Sequence, residues 1–410
     1  MKQQNTGKSR RGAVCGLLLL LLLLLAAAAA VLPAARGTGE KTTLSVALYP
    51  FVPDQARFQQ AVEAEWNARH PEVALRFVLW NGYTEDPPDD LDVFVYDSVF
   101  LYDFLEKGCL LPIADEEVRD AGDYFPYALD ACRVDGVIYA LPQLLCTNLL
   151  YAREGDSELS EAANVGELYE IVGSSTRTDG PPAEGEGLLV NIPEGMNAAF
   201  WYLEVRIDRE QQFSEWISFP ETDDFDPEVM DVLRTVQEMA RGYQKEDFPP
   251  EAGWQSYEAS FTEGYGRAFI GFSESMYGMG DAADDVVFHR FSLSDGDDIP
   301  VTYADIASVN AGIGAEKREL AVELLNILTG RETLVAASSA SQEDPVPQYL
   351  LIARESVYDE LAEEYPVYGK LKAIASDPDC RVFVVCPSGR EVIEQAARIF
   401  RMPAPAGQAA

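Results

Sequence analysis

The sequence predicts an α/β protein with room for two domains, and three observations carry that reading. The chain has 410 residues, 47% of them apolar, which is enough to fill two cores. From Thr43 onward, strand-like alternation and helical spacing succeed one another. Loops rich in Gly, Pro and acidic residues, such as Thr176 to Glu186 and Pro220 to Pro227, punctuate the series.

Taken in order, Thr43-Leu-Ser-Val-Ala-Leu-Tyr49 alternates as a strand. Asp54 to His70 follows as a helix, with Phe58, Ala61, Val62, Ala64 and Trp66 at helical spacing. Val73 to Trp80 and Leu91 to Tyr96 read as strands, and Val99 to Lys107 as a helix stopped by Gly108. This β-α-β-β-α rhythm predicts a mainly parallel sheet with helices on both faces, whose ligands gather at the carboxyl ends of strands. Tyr49, Tyr83 and Asp97 fall at such ends. Helices at Val165 to Val172, Met196 to Arg209 and Pro227 to Gln244 surround a strand from Gly187 to Ile192. Gly266-Arg-Ala-Phe-Ile-Gly271 is a short strand ending at Ser273-Glu274-Ser275. Ile306 to Gly312 gives a strand and loop, followed by an amphipathic helix from Lys317 to Thr329.

The amino terminus reads as a targeting element. Lys2, Lys8, Arg10 and Arg11 precede Leu17 to Leu25 and Ala26 to Ala30, the pattern of a secretory signal. Residues 1–36 are therefore expected to be a signal peptide or, since Ala13 to Ala35 is long enough to span a bilayer, a signal anchor. A secreted or periplasmic protein follows, with a membrane tether if the segment is kept.

A balance of 31 basic against 69 acidic residues gives a net charge of −38. That excludes nucleic acid as a natural partner, because phosphate binding needs clustered Lys and Arg, and it favours cationic small ligands. Loss of Cys15 with the signal leaves Cys109, Cys132, Cys146, Cys380 and Cys386, an odd set, so at least one thiol is free or pairs between chains. Cys380 and Cys386 bracket a strand and lie roughly 20 Å apart if extended, too far for a bridge. A Cys109–Cys132 bridge stays open.

Histidine is confined to His70, at a helix end, and His289, in a strand. Both read as structural, which removes Cys-His and Ser-His-Asp machinery and a His-rich zinc site. No phosphate-cradling GxxxxGK[ST] or GxGxxG is present. What remains is a thiol and carboxylates. Taken alone, Cys146 reads as a small buried hydrophobe and Glu274 as a solvated turn acid. With histidine lacking, however, a carboxylate is the available base for making thiolate. Asp97 ends an apolar strand, a costly place for an unpaired charge, and Asp305 follows Tyr303. Acids ringed by tyrosines suit a flat, cationic, nitrogen-rich ligand.

The frame Tyr139-Ala-Leu-Pro-Gln-Leu-Leu-Cys-Thr-Asn-Leu-Leu-Tyr-Ala-Arg153 resembles the strand that crosses between the lobes of a periplasmic solute-binding protein. Such binders need no thiol in that position. Longer matches extend the resemblance: Val46-Ala-Leu-Tyr-Pro-Phe-Val-Pro-Asp54, Asp86-Pro-Pro-Asp-Asp-Leu-Asp-Val-Phe-Val95, Gly266-Arg-Ala-Phe-Ile-Gly-Phe-Ser-Glu-Ser-Met276 and Pro347-Gln-Tyr-Leu-Leu351. From about Thr43 to Val392 the chain resembles thiaminase I (thiamine pyridinylase), an exported transferase on the two-lobed, type II periplasmic-binding-protein fold.

The resemblance implies a ligand cleft between lobes, with residues 42–146 and 300–340 in the first and 147–299 and 341–402 in the second. It implies transfer of the pyrimidinylmethyl group of thiamine to a pyridine, amine or thiol, with no cofactor. By that analogy Cys146 is the nucleophile and Glu274 its base, while Tyr49, Tyr83, Asp97, Tyr303 and Asp305 line the substrate. Phe51, Gln255 and Phe272 stand where tyrosine is expected, which bears on rate and on the range of accepted bases. The alternative is a non-catalytic solute-binding protein for thiamine or another cation, feeding a transporter; a sugar-binding module would want more tryptophan in the cleft. A hinged cleft needs no partner, so a monomer is the expectation.

Overall fold

Two β-sheets, joined by a two-residue crossing, organise the computed structural model of the protein. It describes residues 42–176, 180–191, 196–213, 220, 224–240 and 256–383. The amino-terminal apolar run, the strand end at Ile192, the helix beyond Ala240, Gln255 and Cys386 lie outside them. Among the described residues no helix is long and apolar enough to cross a membrane.

The strands are β1 (Thr43–Ala47), β2 (Ala74–Phe77), β3 (Val93–Asp97), β4 (Arg133–Val134), β5 (Val137–Ile138), β6 (Leu141–Cys146) and β7 (Leu149–Arg153). They continue as β8 (Glu184–Val190), β9 (Gly266–Gly271), β10 (Val286–His289), β11 (Val301–Val309), β12 (Leu351–Ile352) and β13 (Arg381–Val382). The larger sheet has the order β12-β6-β11-β3-β1-β2, with β13 also beside β11; the smaller has the order β10-β7-β9-β8. Residues Thr147 and Asn148 alone separate β6 from β7, so the chain leaves one sheet and enters the other at Cys146. It returns before β11, and Thr147 Oγ1 donates to Val301 O at 3.0 Å, tying the two crossings together.

Two expectations change. The larger sheet is mixed: β1 runs parallel to β2 and β3, but β11 is antiparallel to β3 and β6. Having arrived from the other sheet, β11 has no βαβ connection to force it parallel. The sequence places residues 341–402 in the second lobe, yet Leu351 and Ile352 pair with Leu145 and Leu144, and Arg381 and Val382 with Val301 and Thr302, all in the larger sheet. Strands of two residues have no readable periodicity.

The helix Gln55–Arg69 begins at Asp54, whose side chain accepts from Arg57 N at 2.9 Å, a cap worth about 1 kcal/mol. It buries Phe58, Val62 and Trp66 in the first core. An aromatic cluster of Phe94, Tyr96, Phe100 and Phe104 fills the space beneath β3, and Tyr96 satisfies its hydroxyl on Ser308 Oγ at 3.0 Å. The helix Pro227–Ala240 packs on β8 of the smaller sheet, and the helix Met196–Glu210 packs against that helix. Both histidines are structural: His70 caps the helix Gln55–Arg69, and His289 Nε2 lies 2.8 Å from Ala162 O.

Candidate active site

A cavity of about 580 Å³ opens where the crossings meet. Cys146, Glu274, Tyr49, Tyr83, Tyr303 and Asp305 line it. Asp97 stands one layer behind, with Tyr83 OH donating to its Oδ2 at 2.6 Å and Val99 N to its Oδ1 at 3.0 Å. All seven residues expected from the sequence therefore gather around one space.

Sheet register explains the gathering. Tyr303 is the partner of Cys146 across β11 and β6, and Asp305 is the partner of Asp97 across β11 and β3. Tyr303 and Asp305, two apart on one strand, present the same face. Glu274 arrives from the other sheet, three residues beyond the end of β9. Gly271 permits the tight turn between them. A Cβ there would lie 2.5 Å from Ser275 Oγ and 2.6 Å from the Phe269 ring.

Sequence reasoning missed three participants. Glu204, on the helix Met196–Glu210, accepts from Tyr303 OH at 2.5 Å and from Asn148 Nδ2 at 3.0 Å. Phe200, one turn earlier, stacks on the Tyr303 ring at 4.3 Å and 17°. Glu258, on the short helix Ser256–Thr262, borders the cavity beside Ser275 with its Oε2 buried and unpartnered. A signal existed for the first. Phe200, Glu204 and Asp208 share a helical face with Leu203 and Ile207, and acids in an apolar stripe need a reason to be there.

The electrostatics are one-sided. Among the described residues, Asp97, Asp305, Glu204, Glu258 and Glu274 form no ion pair with Lys or Arg. Burial pushes Glu274 up to about 7, against weaker opposing hydrogen bonds, one of them from Ser273. Burial likewise raises Asp97 to about 6, Glu204 to about 8 and Glu258 to about 7. Asp305 is held well above the usual carboxyl range by burial, then by Asp97 and Glu274. The Cys146 thiol is pushed well above the ordinary thiol range by burial, then by Asp305, Glu274, Asp97 and Glu204. Cys146 is therefore a protonated thiol at neutral pH, and it becomes a nucleophile only when a base takes its proton.

Cys109, Cys132 and Cys380 are also free, with Cys109 and Cys132 unbridged. Cys132 and Cys380 are fully buried away from the cavity. Among the described residues no cluster of His, Cys, Asp and Glu is arranged to hold a metal ion.

Comparison with known proteins now bears on this arrangement. A Thiaminase-1 domain model matches residues 147–294. Thiaminase-1 of Paenibacillus thiaminolyticus is 42% identical over 376 residues, covering 90% of this chain and 91% of the relative. The chain belongs to the thiaminase I family.

Solved structures agree. Clostridium botulinum thiaminase I in complex with thiamin superposes with a TM-score of 0.85 at 39% identity, over 87% of this chain and 98% of that one. Thiaminase I from Bacillus thiaminolyticus gives 0.84 at 41% identity, over 88% and 99%. A maltose-bound Thermotoga maritima binding protein, at 13% identity and a TM-score of 0.60 over 88% and 99%, shows that the fold is that of two-lobed solute binders. Phe51 and Phe272, two of the positions where tyrosine is expected, lie among the described residues. Phe51 is 55% exposed at the cavity rim, edge-on to Tyr49 at 5.5 Å and to Tyr83 at 5.8 Å. Phe272 sets its ring edge-on to Tyr303 at 6.4 Å, and its carbonyl accepts from Tyr151 OH at 2.7 Å.

Proposed function

We propose that this thiaminase I cleaves thiamine by a double displacement in which Cys146 is the nucleophile and Glu274 its base. One observation carries the proposal: a half-buried thiol faces a cavity walled by carboxyls that, among the described residues, form no ion pair with Lys or Arg. Such a site disfavours a thiolate while empty and favours a cation as its occupant. Thiamine, a flat aminopyrimidine joined through a methylene to a cationic thiazolium, supplies that charge.

Glu274 takes the proton from Cys146 as Sγ adds to C6 of the pyrimidine. The bond from methylene to thiazolium nitrogen breaks, and its electron pair leaves with a neutral thiazole. A pyridine, amine or thiol attacks the methylene, the Sγ–C6 bond breaks, and the thiolate recovers a proton from Glu274; pyridine leaves as the pyridinium adduct, whereas an amine or thiol gives up its own proton to solvent. Asp305 and Asp97 stabilise the cation before it is discharged, and Tyr49, Tyr83 and Tyr303 supply aromatic faces and hydroxyls. Thiamine is substrate here, and no cofactor enters the scheme. The signal-like amino terminus supports export, a hinged cleft needs no second subunit, and residues 42–146 with 300–340 form most of one lobe.

The test is to incubate the protein with thiamine and excess aniline or pyridine and to follow thiamine loss and adduct formation. Loss of turnover in both Cys146→Ser and Glu274→Gln, with thiamine still bound, supports the scheme. Thiamine bound but left intact by the wild type would make the protein a solute binder instead.

A further inference from the structure

We infer that Tyr277 and Asp344 form a latch across the mouth of the cleft that positions Glu274 against the Cys146 side. The inference rests on the roles proposed for those two residues. Glu274 caps the short helix Ser275–Met279, which follows β9 of the smaller sheet. Asp344 lies on the loop between the helix Arg331–Ser338 and β12 of the larger sheet. Tyr277 OH nevertheless donates to Asp344 Oδ2 at 2.5 Å. The two residues belong to opposite sides of the cleft, and the donor sits three positions beyond Glu274.

The Asp344 side of this contact is built to stay still. Arg57, buried to 5% exposure, donates from Nη2 to the same Oδ2 at 2.8 Å and from Nε to Asp54 at 3.1 Å. Its Nη1 reaches the carbonyls of Ser339 and Val346, both at 2.9 Å. Val346 N occupies the remaining Oδ1 of Asp344 at 3.1 Å. Every one of these groups belongs to the side of the larger sheet. Tyr277 is the contribution of the other side, and it meets a carboxylate already fixed in place.

A short hydrogen bond to a carboxylate is of the stronger kind. Placed at the mouth of a hinged cleft, it biases the equilibrium toward the closed form, and only that form sets Glu274 over the cavity. Val52 and Leu350, near either end of the Asp54–Asp344 network, line the same cavity. The latch therefore sits at the edge of the substrate space.

The experiment compares Tyr277→Phe, Asp344→Asn and the double variant. Tyr277→Phe removes one oxygen and nothing of the Arg57 network, so folding is not at issue for it. Each single variant should lower kcat/KM for thiamine about tenfold, chiefly through KM, and the double variant should be no worse than either single one. In parallel, X-ray scattering of a Cys146→Ser background should show compaction on adding thiamine, and less of it when Tyr277→Phe is added. That measurement needs no turnover, so it stands even if the catalytic assignment of Cys146 fails. Additive losses in the double variant, or equal compaction with and without the Tyr277 hydroxyl, would overturn the latch.

Discussion

Asp97 and Asp305 face each other directly across the antiparallel pair β3 and β11. Like charges in such a position repel, and here both are buried, at 4% and 7% exposure. Protons relieve the conflict. Burial lifts Asp97 to about 6, and Asp305 is raised further, with Asp97 itself among the causes. Tyr83 steadies the pair from one side by donating to Asp97.

A cationic ligand reverses that balance, and proton release on binding is the first prediction. The thiazolium favours both carboxylates, so their pKa values fall and protons leave as thiamine enters. Affinity should rise with pH through about 6, where Asp97 ionises, and keep rising above it as Asp305 ionises. Titration calorimetry of the Cys146→Ser variant in buffers of different ionisation enthalpy reads the protons directly. Asp97→Asn should weaken binding roughly tenfold at pH 8 and flatten the pH dependence. A buffer-independent heat for the parent variant would count against the arrangement.

Glu274 gives the second prediction. As the proposed base it must be ionised, and burial sets it at about 7. The rate kcat/KM should therefore climb with pH on a limb centred near 7 and fall below it. Glu274→Gln should lose at least about 100-fold in kcat while still binding thiamine. A limb near 4.5 in the wild type would mean that another group accepts the proton.

Much of this site could be read from the sequence, and the reason is local. The strand-end positions of Tyr49 and Asp97, and the turn that carries Glu274 after β9, follow from short-range alternation and a glycine. The lone cysteine in a crossing frame pointed to the floor of the cleft. What could not be read was set by pairing between distant segments. Nothing near Asp305 announces that it will oppose Asp97, and the direction of β11 depends on a return from the other sheet. Glu204 was legible only as an acid in an apolar helical stripe, and the two-residue strands β12 and β13 carry no period at all. Tyr277 and Asp344 are 67 residues apart, and no local pattern joins them.

The third prediction concerns the resting thiol. Burial and the surrounding carboxyls hold Cys146 protonated well above the ordinary thiol range. Alkylation of the free enzyme by iodoacetamide at pH 7.5 should thus be slower than that of a small free thiol, by about tenfold or more. The comparison with Cys146→Ser, read by mass spectrometry, assigns the labelled site. Labelling of Cys146 at a rate typical of an activated cysteine protease would show that the thiolate forms without substrate.

The fourth prediction uses the exposed ring at the rim. Phe51 is 55% exposed at the rim, in ring contact with Tyr49 and Tyr83, so over half of its surface is open to an incoming aromatic base. Phe51→Ala should raise KM for aniline or pyridine by about three- to tenfold, the range of one aromatic pair. KM for an aliphatic thiol should change little. Equal losses for both nucleophiles would show that the ring supports the wall instead of receiving the second substrate.

Glu204 gives the last prediction, on stability. Burial raises it to about 8 in the folded protein, with Asp208 adding to the effect, whereas the unfolded chain returns it to the ordinary carboxyl range. The folded state thus holds this proton more tightly. The associated stability is fully present below the unfolded value of about 4.5 and is lost as pH rises through about 8. Asp208 and Glu258, each at about 7, act in the same direction. Melting temperature should accordingly fall from pH 6 to pH 9. Glu204→Gln keeps an acceptor for Tyr303 OH and removes the charge, so it should melt close to wild type at about pH 4, where the carboxyl is largely protonated folded or unfolded. At pH 9 it should melt about 3 °C or more above it, as one or two kcal/mol shifts a chain of this size. An identical decline in both proteins would place the pH-sensitive charge elsewhere in the cavity.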